Sequence, residues 1–113
     1  MTDKIVVLST CASVEEGNRI ASELVEKKFA ACVNLVSGVR SVYRWKNKIE
    51  KSQEVLLVIK TSRALFENVR SQIEKVHSYE LPEVIALPVV DGAELYLGWM
   101  DRELVKEHAE QIE

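Results

Sequence analysis

Short β-branched runs alternate with amphipathic stretches along this chain. Lys4–Thr10 (KIVVLST) predicts an inner strand. Ser13-Val14-Glu15-Glu16 has capping-box spacing, in which the Ser13 hydroxyl accepts from the amide three residues on and Glu16 reaches back. The helix that follows runs to about Lys28, with Ile20, Ala21, Leu24 and Val25 on its buried face; Gly17 is a weak point in its first turn. Two β-rich runs, Ala31–Trp45 and Glu54–Lys60, are joined by the polar segment Lys46–Gln53 and predict one long β-hairpin, bent at Ser37-Gly38. Ser62 is a second candidate N-cap, and Leu65, Phe66, Val69, Ile73 and Val76 recur at helical spacing as far as His77. Pro82 breaks that pattern. Val84–Val90 predicts a further strand, in which Pro88 demands an edge position or a bulge. After a turn at Asp91-Gly92, Leu95–Ile112 carries Leu97, Met100, Leu104, Val105 and His108 at mostly helical intervals, which predicts a C-terminal helix.

This order, strand-helix-strand-strand-helix-strand and a last helix, predicts a single α+β domain over 1–113 with a ferredoxin-like βαββαβ sandwich. Right-handed crossovers put Thr10 and Cys11, the hairpin tip, the first helix N-terminus and His77 with its loop to Glu83 at one end. Cys32 falls at the other. The first hairpin arm would span about 50 Å if fully extended at ~3.3 Å per residue. A domain of this length has a radius of gyration near ~13 Å, so a diameter of roughly 35 Å. The arm must overshoot its own globule and leave strand edges bare unless another chain covers them. An oligomer is expected.

A formal net charge of -3 argues against a nucleic-acid partner, which calls for a basic face. No apolar run reaches the ~20 residues that span a bilayer, so no membrane partner is expected. Ile5–Leu8 follows a single lysine and is too short for a signal-peptide core, which predicts a cytoplasmic protein. Two cysteines, Cys11 and Cys32, are then expected to be reduced and far apart. No CxxC, GxGxxG, P-loop, HExxH or GxSxG pattern is present, and the reading is of a protein that is not an enzyme.

Several segments, in order, resemble the CutA divalent-cation tolerance family: Ala31-Cys32-Val33-Asn34, Ser41–Glu50 (SVYRWKNKIE), Glu54-Val55-Leu56 with Ile59-Lys60-Thr61, His77–Glu83 (HSYELPE) and Tyr96-Leu97-Gly98-Trp99. The resemblance runs from about Ile5 to Trp99. It implies a cytoplasmic, ferredoxin-like homotrimer whose hairpins wrap around neighbouring subunits, acting in the response to metal ions, with copper or another divalent cation as a possible ligand. The family's trimer resembles the PII signalling proteins, which implies as an alternative a trimeric sensor of a small anion bound between subunits. The chain departs from the family at Asn47, where Gly is usual, and at Ser78, where Pro is usual. Some bacterial members place a proposed ligand cysteine at the position of Ser9 and a second histidine at that of Val76; only His77 of that set is present.

Candidate metal ligands are therefore His77, Cys11 two residues past Ser9, and Glu80, since a thiolate and an imidazole suit copper or zinc. Cys11 has an alternative as a small packed hydrophobe at a strand-to-helix turn. His77 has one as a helix C-terminal residue favoured by the dipole, although the polar neighbours Tyr79, Glu80 and Glu83 favour a functional loop. Tyr43, Trp45 and Trp99 are amphipathic anchors for a ligand cleft or a subunit interface, and Lys60 is a candidate for holding an anion or for an intersubunit ion pair. Cys32 and His108 read as structural.

Overall fold

The computed structural model describes residues 1–106. The sheet is β1 (Lys4–Cys11), β2 (Cys32–Trp45), β3 (Lys48–Ser62) and β4 (Ile85–Pro88), in the order β2-β3-β1-β4 and antiparallel throughout. Helices α1 (Val14–Glu26) and α2 (Phe66–Val76) are the crossovers, and α3 (Glu94–Glu103) follows the last strand. This is the ferredoxin-like α+β arrangement expected from the order of elements. β1 is an inner strand, and Pro88 lies on the edge strand, where its missing N–H interrupts no ladder.

Alternation along β1 explains the layers. Ile5, Val7, Ser9 and Cys11 point into the core with Ile20 and Leu24 of α1, Val55, Leu57 and Ile59 of β3, and Val69 and Ile73 of α2. Their register partners put Val6 and Leu8 on the opposite face beside Val58, Leu87 and Ile85. That face is apolar and only partly covered: Ile85 and Leu87 are about half exposed. A second small cluster, Ala31, Leu65, Met100 and Leu104, seats α3 with help from an ion pair between Lys4 and Asp101 at 2.6 Å.

Beyond a shortening of the last strand from Val84–Val90 to Ile85–Pro88, three boundaries differ from the sequence expectation. The polar Lys46–Gln53 segment is not a loop, because β2 and β3 stay paired out to Trp45 opposite Lys48. The chain reverses at Lys46-Asn47 alone, both with positive φ (50° and 67°), a two-residue turn whose twist matches the strands. Asn47 tolerates this left-handed backbone, so the departure from Gly is accommodated. Ser62 does not cap α2 with its side chain; a 3-10 turn at Arg63–Leu65 intervenes and α2 starts at Phe66. The last helix ends at Glu103, since Leu104 turns extended and the Val105 N–H pairs with the Lys28 carbonyl at 2.9 Å. His108 and the rest of the expected helix beyond 106 lie outside the described residues.

The hairpin bends where expected. The β2–β3 register shifts between Val36 and Val39, and Gly38 takes φ 78°, as a bulge there requires. Past this point the two strands have no third partner among the described residues, because β1 pairs with β3 only from Val55 to Ser62. The ribbon lengthens the molecule to 43 Å and its radius of gyration to 14.8 Å. Cys11 lies opposite Val55 and Cys32 opposite Lys60 on β3, five positions apart, or roughly 17 Å along the strand. Neither is in a disulfide.

Gly17 proves to be a contact rather than a mere weakness in the helix. A Cβ there would stand 3.0 Å from Leu35 Cδ2, 3.2 Å from Cys11 Sγ and 3.3 Å from Leu57 Cδ2. Gly17→Ala should therefore destabilise the protein by about 1–3 kcal/mol despite the better helix propensity of alanine. Chemical denaturation checks this, and a more stable Gly17→Ala would contradict the packing described.

Candidate functional site

The strand-end cluster expected from topology forms around one buried carboxylate. Ser13 caps α1, its hydroxyl accepting from the Glu16 N–H at 3.1 Å. The reciprocal half of the box is displaced by one residue: Glu16 Oε1 accepts from the Ala12 N–H, not from that of Ser13. Glu16 also receives the Ser78 N–H at 2.8 Å and the Ser78 hydroxyl at 3.1 Å. Proline at position 78 would lack that N–H, so Ser78 is what lets the loop after α2 fasten to the start of α1. Burial alone would raise the Glu16 carboxyl. The Ser78 N–H and hydroxyl and the Ala12 N–H, all donating to the carboxylate, outweigh it and hold the group below its ordinary value.

His77 closes α2 and its side chain is fully buried. Its Nε2 lies 2.8 Å from the Thr10 carbonyl, and the Tyr79 N–H donates to its Nδ1 at 3.0 Å. A carbonyl can only accept and an N–H can only donate, so the partners assign the Nε2–H tautomer. Both ring nitrogens are thereby used. Cys11 is also fully buried; its thiol donates to the Ser13 carbonyl at 3.3 Å, and burial pushes it up, with Glu16 and Glu54 adding to the rise. Glu80 is exposed on the loop. No group of three or more His, Cys, Asp or Glu side chains converges among the described residues. His77, Cys11 and Glu80 thus do not fit a metal ion as arranged in the single chain: one ligand is a protonated, buried thiol and another has no free lone pair.

What the structure does assemble is a cleft of about 580 Å³ between the root of the arm and the loop after α2. Tyr43, Trp45, Tyr79 and Glu83 from the expected cleft residues line it, together with Glu80. Lys60 and Trp99 are at the far end: the Lys60 ammonium stands 5.8 Å from the Tyr96 ring, which in turn packs 5.4 Å from Trp99. Glu54 was not expected in the site and is the most buried charge lining the cleft, at 7% exposure. The Ser41 hydroxyl donates to one of its oxygens and the Tyr79 hydroxyl donates to the other at 2.7 Å. Burial, then the hydrogen bond to Glu54 and that residue's charge, push the Tyr79 phenol well up, so it remains a donor. The one sequence cue to Glu54 is a charged residue at the junction of the polar arm and the apolar strand; Glu16 is hidden inside the capping box.

A ferredoxin-like sandwich with an overlong β2–β3 hairpin and a strand-end cleft defines the structural class. The model of the CutA1 divalent ion tolerance protein family matches residues 5–103, and this chain belongs to that family. It is 44% identical over 96 residues to the chloroplastic CutA protein of Arabidopsis thaliana, covering 85% of this chain but only 53% of that protein's length. It is 42% identical over 95 residues to the divalent-cation tolerance protein CutA of Thermus thermophilus, covering 84% of this chain and 92% of the relative. The solved Thermus thermophilus structure superposes with a TM-score of 0.88 at 39% identity, over 90% of this chain and 99% of that one.

The Glu16 network makes stability depend on acid in a defined direction. A carboxyl held low in the folded state stabilises fully above its unfolded value near 4.5, and that contribution is lost as pH falls through the folded value. Glu16→Gln should cost about 1–3 kcal/mol at neutral pH and flatten the decline in stability below about pH 5. Denaturation midpoints measured across that range test it; an unchanged acid limb would contradict the network.

Proposed function

We propose that this chain serves divalent-cation tolerance as a non-catalytic homotrimer in the cytoplasm. The observation that carries the assembly is the unsupported arm. Val42 is 66% and Ile49 57% exposed on a two-stranded ribbon, and β2 and β4 are both bare edges beside a partly uncovered apolar sheet face. Isolated two-stranded ribbons are marginal in water, and bare edges invite pairing, so sister copies are the partners this surface suits. Three copies are what the family resemblance implies. A compartment that keeps thiols reduced suits the separate positions of Cys11 and Cys32.

Divalent-cation tolerance is how the Thermus relative is described, and we extend that role to this chain. Copper is the ion the resemblance implies. Since Cys11 and His77 are committed to hydrogen bonds, we read tolerance as indirect, or as weak binding to surface carboxylates. A second reading, a trimeric binder of a small molecule, is favoured by the cleft beside Tyr79; its volume lies within the ~300–1,000 Å³ usual for such sites.

Light scattering should give three times the chain mass. Val42→Asp and Ile49→Asp, at positions exposed in the single chain, should lower that mass while leaving the core folded; an unchanged mass for the double variant would overturn the arm's role. Calorimetric titration with Cu(II) should give the same curve for the unaltered protein, Cys11→Ser and His77→Ala. Tight copper binding abolished in both variants would overturn the indirect reading and restore those residues as ligands.

A further inference from the structure

We propose that the cleft between the arm and the Tyr79–Glu83 loop is a binding site for a small organic cation, a primary amine or guanidinium on a short carbon chain. The proposal rests on the small-molecule reading above and fixes the charge of the ligand. Tyr43, Trp45 and Tyr79 give the cleft aromatic walls, while Glu54, Glu80 and Glu83 give it three carboxylates; among the described residues no lysine or arginine lines it. An anion entering this space meets like charge on several sides. A bare metal ion needs ligands converging on a point, and these carboxylates form no such group. They flank a larger space instead. An organic cation suits both features, its charge facing carboxylates and ring faces and its carbons lying on the rings.

Two further observations support this sign of charge. Glu54 is nine-tenths buried and held by two neutral hydroxyl donors, and no lysine or arginine pairs with it among the described residues. A buried carboxylate stabilised only by neutral donors gains strongly from a counter-charge. In addition, the Lys46 ammonium stands 5.7 Å from the centre of the Trp45 ring. The chain itself thus already places an ammonium against one wall-forming ring, which is the contact proposed for the ligand.

Calorimetric titration of the assembled protein with n-butylammonium, n-butylguanidinium, n-butanol and butyrate tests the proposal. Both cations should saturate one site per chain at least about tenfold more tightly than butanol and weaken as salt is raised. Glu54→Gln should weaken the cations about tenfold without altering butanol. Should Glu54→Gln fail to fold by near-ultraviolet circular dichroism, the exposed pair Glu80→Gln and Glu83→Gln carries the same expectation. Butyrate or butanol binding as tightly as the cations, or cation binding undiminished in these variants, would overturn the charge assignment and leave the small-molecule reading intact. No binding by any of the four would overturn both.

Discussion

Backbone hydrogen bonding along β3 is the constraint from which the rest of this structure follows. From Leu56 to Lys60 the strand is flanked on both sides, by β1 and β2, and its inward side chains meet two helices. From Lys48 to Glu54 it has β2 alone. One strand therefore belongs half to a packed domain and half to a ribbon in solvent. The same change of environment sets the side chains: Val55, Leu57 and Ile59 are buried, whereas Ile49 is open. Folding energy is concentrated in the first half, and the second half has polar backbone and apolar side chains to satisfy elsewhere.

The cleft sits where these two halves meet. Glu54 is the last residue of β3 before its flanking by β1 begins, and the loop after α2 reaches it through Tyr79. That loop is in turn fixed by His77 to the Thr10 carbonyl and by Ser78 to Glu16 at the start of α1. The polar groups of this region thus tie three separate elements to the root of the arm. This is why His77 and Cys11, attractive as ligands by residue type, serve as positioning and packing groups in the single chain. Their hydrogen-bonding capacity is already spent on the fold.

Much of this was legible in the sequence. The order of elements, the inner position of β1, the edge position forced by Pro88 and the end of the sheet that gathers His77 all follow from periodicity, proline chemistry and crossover handedness. The length of the paired hairpin did not, because a ribbon outside the core needs no hydrophobic alternation, and Lys48–Gln53 looks like a loop. The stop of α3 at Glu103 was hidden for the opposite reason. Leu104 and Val105 continue the helical spacing, but a backbone bond to Lys28 overrides it. Glu16 was legible only as half of a capping box, and Glu54 not as a site residue, because burial of a carboxylate depends on donors contributed from distant parts of the chain.

The central claim is that sister copies shelter the exposed ribbon. Hydrogen exchange of the Val39–Trp45 amides, followed by mass spectrometry as the protein is diluted, measures that shelter directly. Strong protection at micromolar concentration, lost together with self-association on dilution, is the predicted result. Arm amides that exchange as fast as those of an unstructured peptide while the chains remain associated would contradict it, because the contact between copies would then lie elsewhere.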